Sequence, residues 1–272
     1  MKESQFLMIT LRKKMLDIQI IKDQYPKTLH RFDRGLLREY LQYQILAIIF
    51  EHPLSRKLSF LGGTCLRIVH QLPRFSEDID FDNKDLSEKE FEKIASYLAK
   101  ELEKRGYIIE IKLINKGAFH CYIKFPDLLY QKGLTPQKFE KILIQVDTFD
   151  QGESYKSELF ILDKFEFFKQ IKVTPKSIIL SQKLWTITQR PRFKGRDFFD
   201  IMFLLQSTQP DEIFLKTKFG QKELPNIIDE ILDHLKNVNW ENLVEDVKPF
   251  LFDPEQAEKI NLFPEFLKQK LR

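Results

Sequence analysis

The sequence predicts an α+β protein, a mixed β-sheet flanked by helices and followed by a C-terminal helical bundle. Three observations carry this. Up to about residue 150, strand-length apolar runs alternate with amphipathic helical stretches; from about residue 151 the apolar spacing turns helical; and one apolar run closes on Gly62-Gly63 shortly before the alternating segment Asp78-Ile79-Asp80-Phe81-Asp82. At 272 residues, 43% of them hydrophobic, the chain can bury more than one core. Residues 1–150 are therefore expected to form the sheet domain with its N-terminal helices, and residues 151–272 a mainly helical domain that completes a cleft.

The first long helix is expected near Arg34 to Phe50, where Leu36, Leu37, Tyr40, Leu41, Ile45, Ile48 and Ile49 make an apolar face able to cover the sheet. Lys57 to Leu61 follows as an apolar strand, then the glycine pair and a helical stretch from Thr64 to Val69. After the Asp-x-Asp strand, Ser87 starts a helix with Glu90 three residues on, a capping-box pattern that satisfies free first-turn amides; its apolar positions run from Phe91 to Leu102 and Gly106 ends it. Strands from Tyr107 to Ile114 and from Ala118 to Phe125 are joined by Asn115-Lys116-Gly117, a hairpin turn. A loop with Pro126, Gly133 and Pro136 leads to the last expected strand, Ile142 to Phe149. Beyond it, Pro175 and Ser177 open a helix carrying Lys183, Gly195 precedes another, Ile227, Ile228, Ile231, Leu232 and Leu235 repeat at helical spacing, and Phe263, Phe266 and Leu267 suit a final short helix. The 25 phenylalanines are read as core packing rather than base stacking, and no internal repeat or low-complexity tract is present.

The chemistry concentrates at the glycine pair and the acidic strand. Without Cβ atoms, Gly62 and Gly63 let the backbone approach an anion closely, and the following helix adds the positive end of its dipole, so a triphosphate can rest there. Side chains two apart on a strand share a face, which sets Asp78 and Asp80 together, with Asp82 at the edge of that face, while Ile79 and Phe81 point into the core. Two carboxylates so close repel each other, and a divalent cation such as Mg²⁺ or Mn²⁺ removes the conflict. Taken alone, an Asp-x-Asp is commonly a solvated strand edge and a Gly-Gly an ordinary turn. Their order in one chain argues for a nucleotide-handling site.

The string Gly62-Gly63-Thr64-Cys65-Leu66-Arg67, then Leu72-Pro73-Arg74-Phe75-Ser76-Glu77-Asp78-Ile79-Asp80-Phe81, resembles the AbiEii-type nucleotidyltransferases, toxins of bacterial abortive-infection toxin–antitoxin systems within the DNA polymerase β-like superfamily. So does the tract Ile179-Leu180-Ser181-Gln182-Lys183-Leu184-Trp185, continued by Lys194-Gly195-Arg196-Asp197-Phe198-Phe199-Asp200-Ile201. The resemblance implies a polymerase β-like nucleotidyltransferase domain over residues 1–150. It also implies a third metal carboxylate, for which Asp147 in Ile142 to Phe149 is the candidate, so that Asp78, Asp80 and Asp147 would hold Mg²⁺ or Mn²⁺. Gly62, Gly63, Thr64, Arg67, Arg74 and Ser76 would bind the nucleotide with Lys183 and Arg196, Lys183 as a point charge on the triphosphate. Asp197 and Asp200, three apart on a helix, share a face, and one of them would position or deprotonate the acceptor hydroxyl. Family members often carry Lys before the glycines, where this chain has Leu61, so a phosphate contact from that position is missing.

What the resemblance implies is transfer of an NMP from an NTP to an RNA 3′ end such as that of tRNA, with a cognate antitoxin as partner. Transfer to a protein or a small molecule, or a non-catalytic nucleotide-binding module, are the competing readings. A net charge of +4 does not by itself announce nucleic-acid binding. Of the basic groups, Lys183, Arg190, Arg192, Lys194 and Arg196 adjoin the expected site, whereas Arg12-Lys13-Lys14 and Arg31, Arg34, Arg38 read as ordinary solvated surface. Cys65 and Cys121 lie far apart, which speaks against a zinc site or disulfide framework and for a reducing cytoplasm. The five histidines show no ligand spacing and receive no role. No stretch approaches the roughly 20 apolar residues a membrane span needs, and no cleavable leader is visible.

Overall fold

The computed structural model describes residues 17–152 and 155–271 of the chain. In chain order these form Ile18–Lys22 (α1), Asp33–Glu51 (α2), Leu58–Leu61 (β1), Gly62–His70 (α3), Ile79–Asn83 (β2), Glu88–Lys104 (α4), Glu110–Lys116 (β3), Ala118–Phe125 (β4), Leu128–Gln131 (α5), Ile142–Phe149 (β5), Glu158–Lys164 (β6) and Phe167–Val173 (β7). Helices Lys176–Gln189 (α6), Gly195–Leu204 (α7), Glu212–Lys218 (α8), Leu224–His234 (α9), Trp240–Val247 (α10) and Phe263–Leu271 (α11) complete them.

Among the described residues, seven strands make one mixed sheet in the order β3-β4-β5-β2-β1-β7-β6. β2 sits at its middle, antiparallel to β1 and parallel to β5, and β1 runs parallel to β7. α2 packs on β5, β6 and β7 with α1 and α4 against it. Because these neighbours surround it, every residue from Leu36 to Ile49 except Arg38 is buried, more than a one-sided apolar stripe requires. Each fully buried leucine or isoleucine there contributes roughly 1.5–3 kcal/mol. The polar residues carried inside are hydrogen-bonded: Gln42 Nε2 donates to the carbonyls of Ser76 and Glu77, both at 3.0 Å, and so fixes the loop that enters β2.

The α+β class, the long first helix and the Ser87–Glu90 capping box stand as expected; Ser87 accepts from the Glu90 amide and the Glu90 carboxylate accepts from the Ser87 amide. Two expectations need correction. β3 begins at Glu110 rather than Tyr107, because Tyr107 is drawn into the core, where its hydroxyl accepts a 2.6 Å hydrogen bond from Gln44. The region after residue 151, expected to be helical, opens with the β6–β7 hairpin, which adds two strands to the sheet beside β1. Its period-two signal is present in Phe167, Ile171 and Val173, which face inward, but its two-residue turn is Phe165-Glu166, with Phe165 at φ 58°, so no glycine or asparagine marks it.

In the C-terminal half α6 packs against α7, α8 and α9, α7 against α10, and α11 against α9. Phe198, Trp240 and Phe263 form an aromatic cluster there, with Phe198 and Phe263 edge-to-face at 4.8 Å. Phe168, by contrast, is 75% exposed and is not core. A short backbone pairing joins the two halves: Phe75 donates to the Phe250 carbonyl at 2.9 Å, Phe252 to that of Pro73 at 3.2 Å, and Arg74 bridges Leu251. Among the described residues no helix is long and apolar enough to cross a membrane. Arg12-Lys13-Lys14 lies outside the described residues.

Candidate active site

The central pair of strands brings the carboxylates together. β2 and β5 run parallel in a register that sets Asp80 beside Asp147, and β1 places Leu61, just before the glycine turn, beside Asp80. Gly62 adopts φ 80°, and a methyl on its Cα would run into the Asp80 carboxylate; one on Gly63 would sit 2.7 Å from Ser76 Oγ and 2.8 Å from Arg74 Nη2. Gly62 is therefore required by close approach and by its conformation, while a side chain at Gly63 would displace Ser76 Oγ and Arg74 Nη2. α3 starts at this turn, with its free amides at the edge of a cleft of about 540 Å³ that Asp78, Asp80 and Asp147 also line.

Burial, then the neighbouring Asp147 and Asp78, push the Asp80 carboxyl up to about 7, while Lys183 and Arg190 oppose the rise. Burial, followed by Asp147 and Glu77, raises Asp78 as well. Asp147 is turned toward β4: its Oδ1 is 2.8 Å from His120 Nδ1, and Gln145 Nε2 lies 2.8 Å from both its oxygens. As they stand, no three His, Cys, Asp or Glu side chains among the described residues are gathered into a ready cation cage. The donor set nevertheless fits a hard divalent cation: three carboxylates border one cleft, two of them strained toward protonation by burial and mutual repulsion that such a cation relieves.

α6 and α7 form the facing wall. Lys183 lies 3.1 Å from Asp197 Oδ1 and 2.8 Å from Asp200 Oδ2, Arg190 Nε lies 2.9 Å from Asp197 Oδ2, and Arg74 makes two 2.7 Å bonds to Asp200. Burial works against the Lys183 ammonium, yet Asp200 and Asp197 outweigh it and raise its pKa. Likewise, burial is outweighed at Asp200 by Arg74 and Lys183, and its pKa falls. Of the two α7 acids, Asp197 lines the cleft, whereas Asp200 is fully buried between its cations and does not. Of the two acids that spacing leaves equivalent, only Asp197 is therefore presented to the cleft.

Other expected residues divide in the same way. Gly62, Gly63, Ser76, Arg74 and Arg196 line the cleft, although Arg74 is committed to Asp200 and Arg196 leans on Glu77 at 3.3 Å and over the Phe250 ring. Thr64 and Arg67 do not. Thr64 is fully buried and spends its hydroxyl on the Asp78 carbonyl, so it braces the acidic strand. Arg67, further along α3, pairs with Glu39 at 2.8 Å and stacks on Phe252, facing a separate cleft. Asp82 shares the strand face but accepts from the Gln151 amide and the Tyr155 hydroxyl instead of entering the cleft. Arg31, Arg34 and Arg38 bond to the Phe252 carbonyl, Glu140 and Glu77, as an ordinary salt-bridged surface would. Both cysteines are buried free thiols.

The structure adds Gln145, Phe149, Gln182 and Trp185 to the cleft lining and His120 beside Asp147, none of which the sequence assigns a role. His120 was set aside for lack of ligand spacing, yet β4 pairs it directly opposite Asp147. Only the strand register could reveal that, since 27 residues separate them.

The sequence model of the family described as "Nucleotidyl transferase AbiEii toxin, Type IV TA system" matches residues 44–267. No curated protein matches the sequence. Among solved structures, JHP933 of Helicobacter pylori aligns with a TM-score of 0.52 at 18% identity over 88% of this chain and 93% of that one. A candidate nucleotidyltransferase of H. pylori aligns with a TM-score of 0.54 at 19% identity over 88% and 96%. At such identities these likenesses speak for the fold.

Proposed function

The chain belongs to the AbiEii nucleotidyltransferase toxin family of type IV toxin–antitoxin systems, and from that premise we propose that it transfers an NMP from an NTP to an acceptor hydroxyl, that of an RNA 3′ end such as tRNA, in the cytoplasm. The observation that carries the reading is the register Asp80 beside Asp147 across β2 and β5, with Asp78 in the same cleft as the glycine turn and Lys183. Family membership implies a cognate antitoxin.

The α3 amides at Gly62-Gly63 receive the phosphates, and Lys183 supplies the facing positive charge. Asp78, Asp80 and Asp147 would hold Mg²⁺ or Mn²⁺, and the chemistry such a cation would supply there is a lower pKa for the attacking hydroxyl and a countercharge for the phosphoryl groups. Asp197, held in place by Lys183 and Arg190, accepts a hydrogen bond from the acceptor hydroxyl and orients it. His120 and Gln145 fix the Asp147 carboxylate, and Arg196 and Lys194 at the cleft edge meet the acceptor backbone.

The test incubates the protein with Mg²⁺ or Mn²⁺, each α-labelled NTP separately and total tRNA, with Asp78→Ala alongside. Label on RNA that disappears in the variant is expected. Label on protein would move the acceptor to a polypeptide, and absence of label with every NTP would argue for a small-molecule acceptor or a binding module.

A further inference from the structure

α6 gives the cleft two kinds of lining. Lys183 on the helix and Arg190, the residue just past its end, meet the carboxylates of α7. Ile179, Gln182 and Thr186, at helical spacing, form the neighbouring stripe, with Trp185 at its margin. The end of β5 comes to that flank. Lys218 donates to the Gln151 carbonyl at 2.7 Å and stands 5.3 Å from the Trp185 ring centre, tying Gln151, two residues past Phe149, to Trp185.

Gln182 is the exceptional group of this flank. It is 7% exposed, it lines the cleft, and its amide nitrogen is buried without a hydrogen-bond partner. Buried donors are almost always paired, and an unpartnered one on a side chain that lines a ligand-sized cleft can turn to meet what enters it. A phosphate is drawn instead to the charged flank, where the cations and the α3 amides lie. Beside Gln182 the lining is aromatic, aliphatic and amide, which suits the face and edge of a nucleobase.

We propose that the Gln182 carboxamide reads the base of the incoming nucleotide and is the residue that sets which NTP the protein takes. The inference rests on the nucleotidyl-transfer reading and deepens it. With the triphosphate at Gly62-Gly63 and Lys183, the base lies against Trp185 and Phe149, and Gln182 Nε2 donates to an acceptor on its edge. A carbonyl or ring nitrogen accepts that bond; an amino group in its place leaves the donor unpaired, and such a base is rejected.

The experiment is an equilibrium titration of each of the four NTPs, without acceptor, against the parent, Gln182→Leu and the near-isosteric Gln182→Glu, with thermal melts as a check of folding. The parent is expected to prefer one or two bases. Gln182→Leu should keep triphosphate affinity while the discrimination between bases collapses by about tenfold. Gln182→Glu, an acceptor where the donor was, should shift preference away from uracil and toward the bases that present an amino group, adenine, cytosine or guanine. A parent that binds all four alike overturns the inference, as does equal weakening of all four in both folded variants, which would make Gln182 a packing residue. A parent that binds no NTP overturns the nucleotidyl-transfer reading along with it.

Discussion

At the scale of single residues, the acids divide between those locked in ion pairs and those presented to the cleft. Asp200, fully buried, is held by Arg74 and Lys183. Removing Arg74 leaves the buried Asp200 with Lys183 as its remaining cation, so Arg74→Ala is expected to lower stability by about 1.5–3 kcal/mol in urea denaturation. The pH dependence follows from the depressed Asp200 pKa, where Arg74 and Lys183 outweigh burial. Its stabilisation is fully present above its ordinary value of 3.8 and is lost as pH falls through the depressed one. Asp200→Asn should therefore be less stable than the parent at neutral pH and show a flatter acid limb when denaturation curves are compared between about pH 2 and pH 6. Asp80 is the opposite case: its charge is disfavoured in the folded state by burial and by Asp147 and Asp78. Asp80→Asn should abolish nucleotidyl transfer while melting no lower than the parent, and a variant that still transfers label would remove Asp80 from the site.

At the scale of elements, two close fits are sharp enough to test. A methyl at Gly195 would overlap the Leu243 carbonyl oxygen where α7 crosses α10, so Gly195→Ala is expected to cost about 1–3 kcal/mol by urea denaturation although alanine is the better helix former. Ser87→Ala removes the capping box of α4 and should cost about 1 kcal/mol, with transfer unchanged. Equal loss in both variants would mean that the α7–α10 contact yields easily. The elements most legible in the sequence were those with local signals: α2 and α4 by periodicity and capping, and β5, whose bounds Ile142 to Phe149 agree residue for residue. The β6–β7 hairpin was hidden because its turn residues, Phe165-Glu166, carry no turn signature.

At the scale of the whole molecule, one sheet spans both sides of residue 150 and the Phe75–Phe250 and Pro73–Phe252 pairings tie the C-terminal helices to the loop that carries Arg74 and Ser76. The candidate site is made across this seam, with Asp80 on β2, Asp78 just before it and Asp147 on β5, facing Lys183 on α6 and Asp197 on α7. Unfolding is therefore expected as one transition, with far-UV circular dichroism and the fluorescence of Trp185 and Trp240 changing together. Separate transitions would show that the halves of the chain are stable independently.

The sequence by itself determined the α+β class, the helices with caps and periodic faces, and the glycine turn followed by Asp-x-Asp, because these are written in residues near one another and in a two- or 3.6-residue period. Only the tertiary structure decided which of the named residues meet. Asp147 stands beside Asp80 and His120 opposite Asp147 through strand register, Arg67 leaves the cleft through its direction on α3, and Asp200 is withdrawn from the cleft by an ion pair with Arg74, 126 residues away. Such pairings arise from packing between distant segments, and no local pattern encodes them.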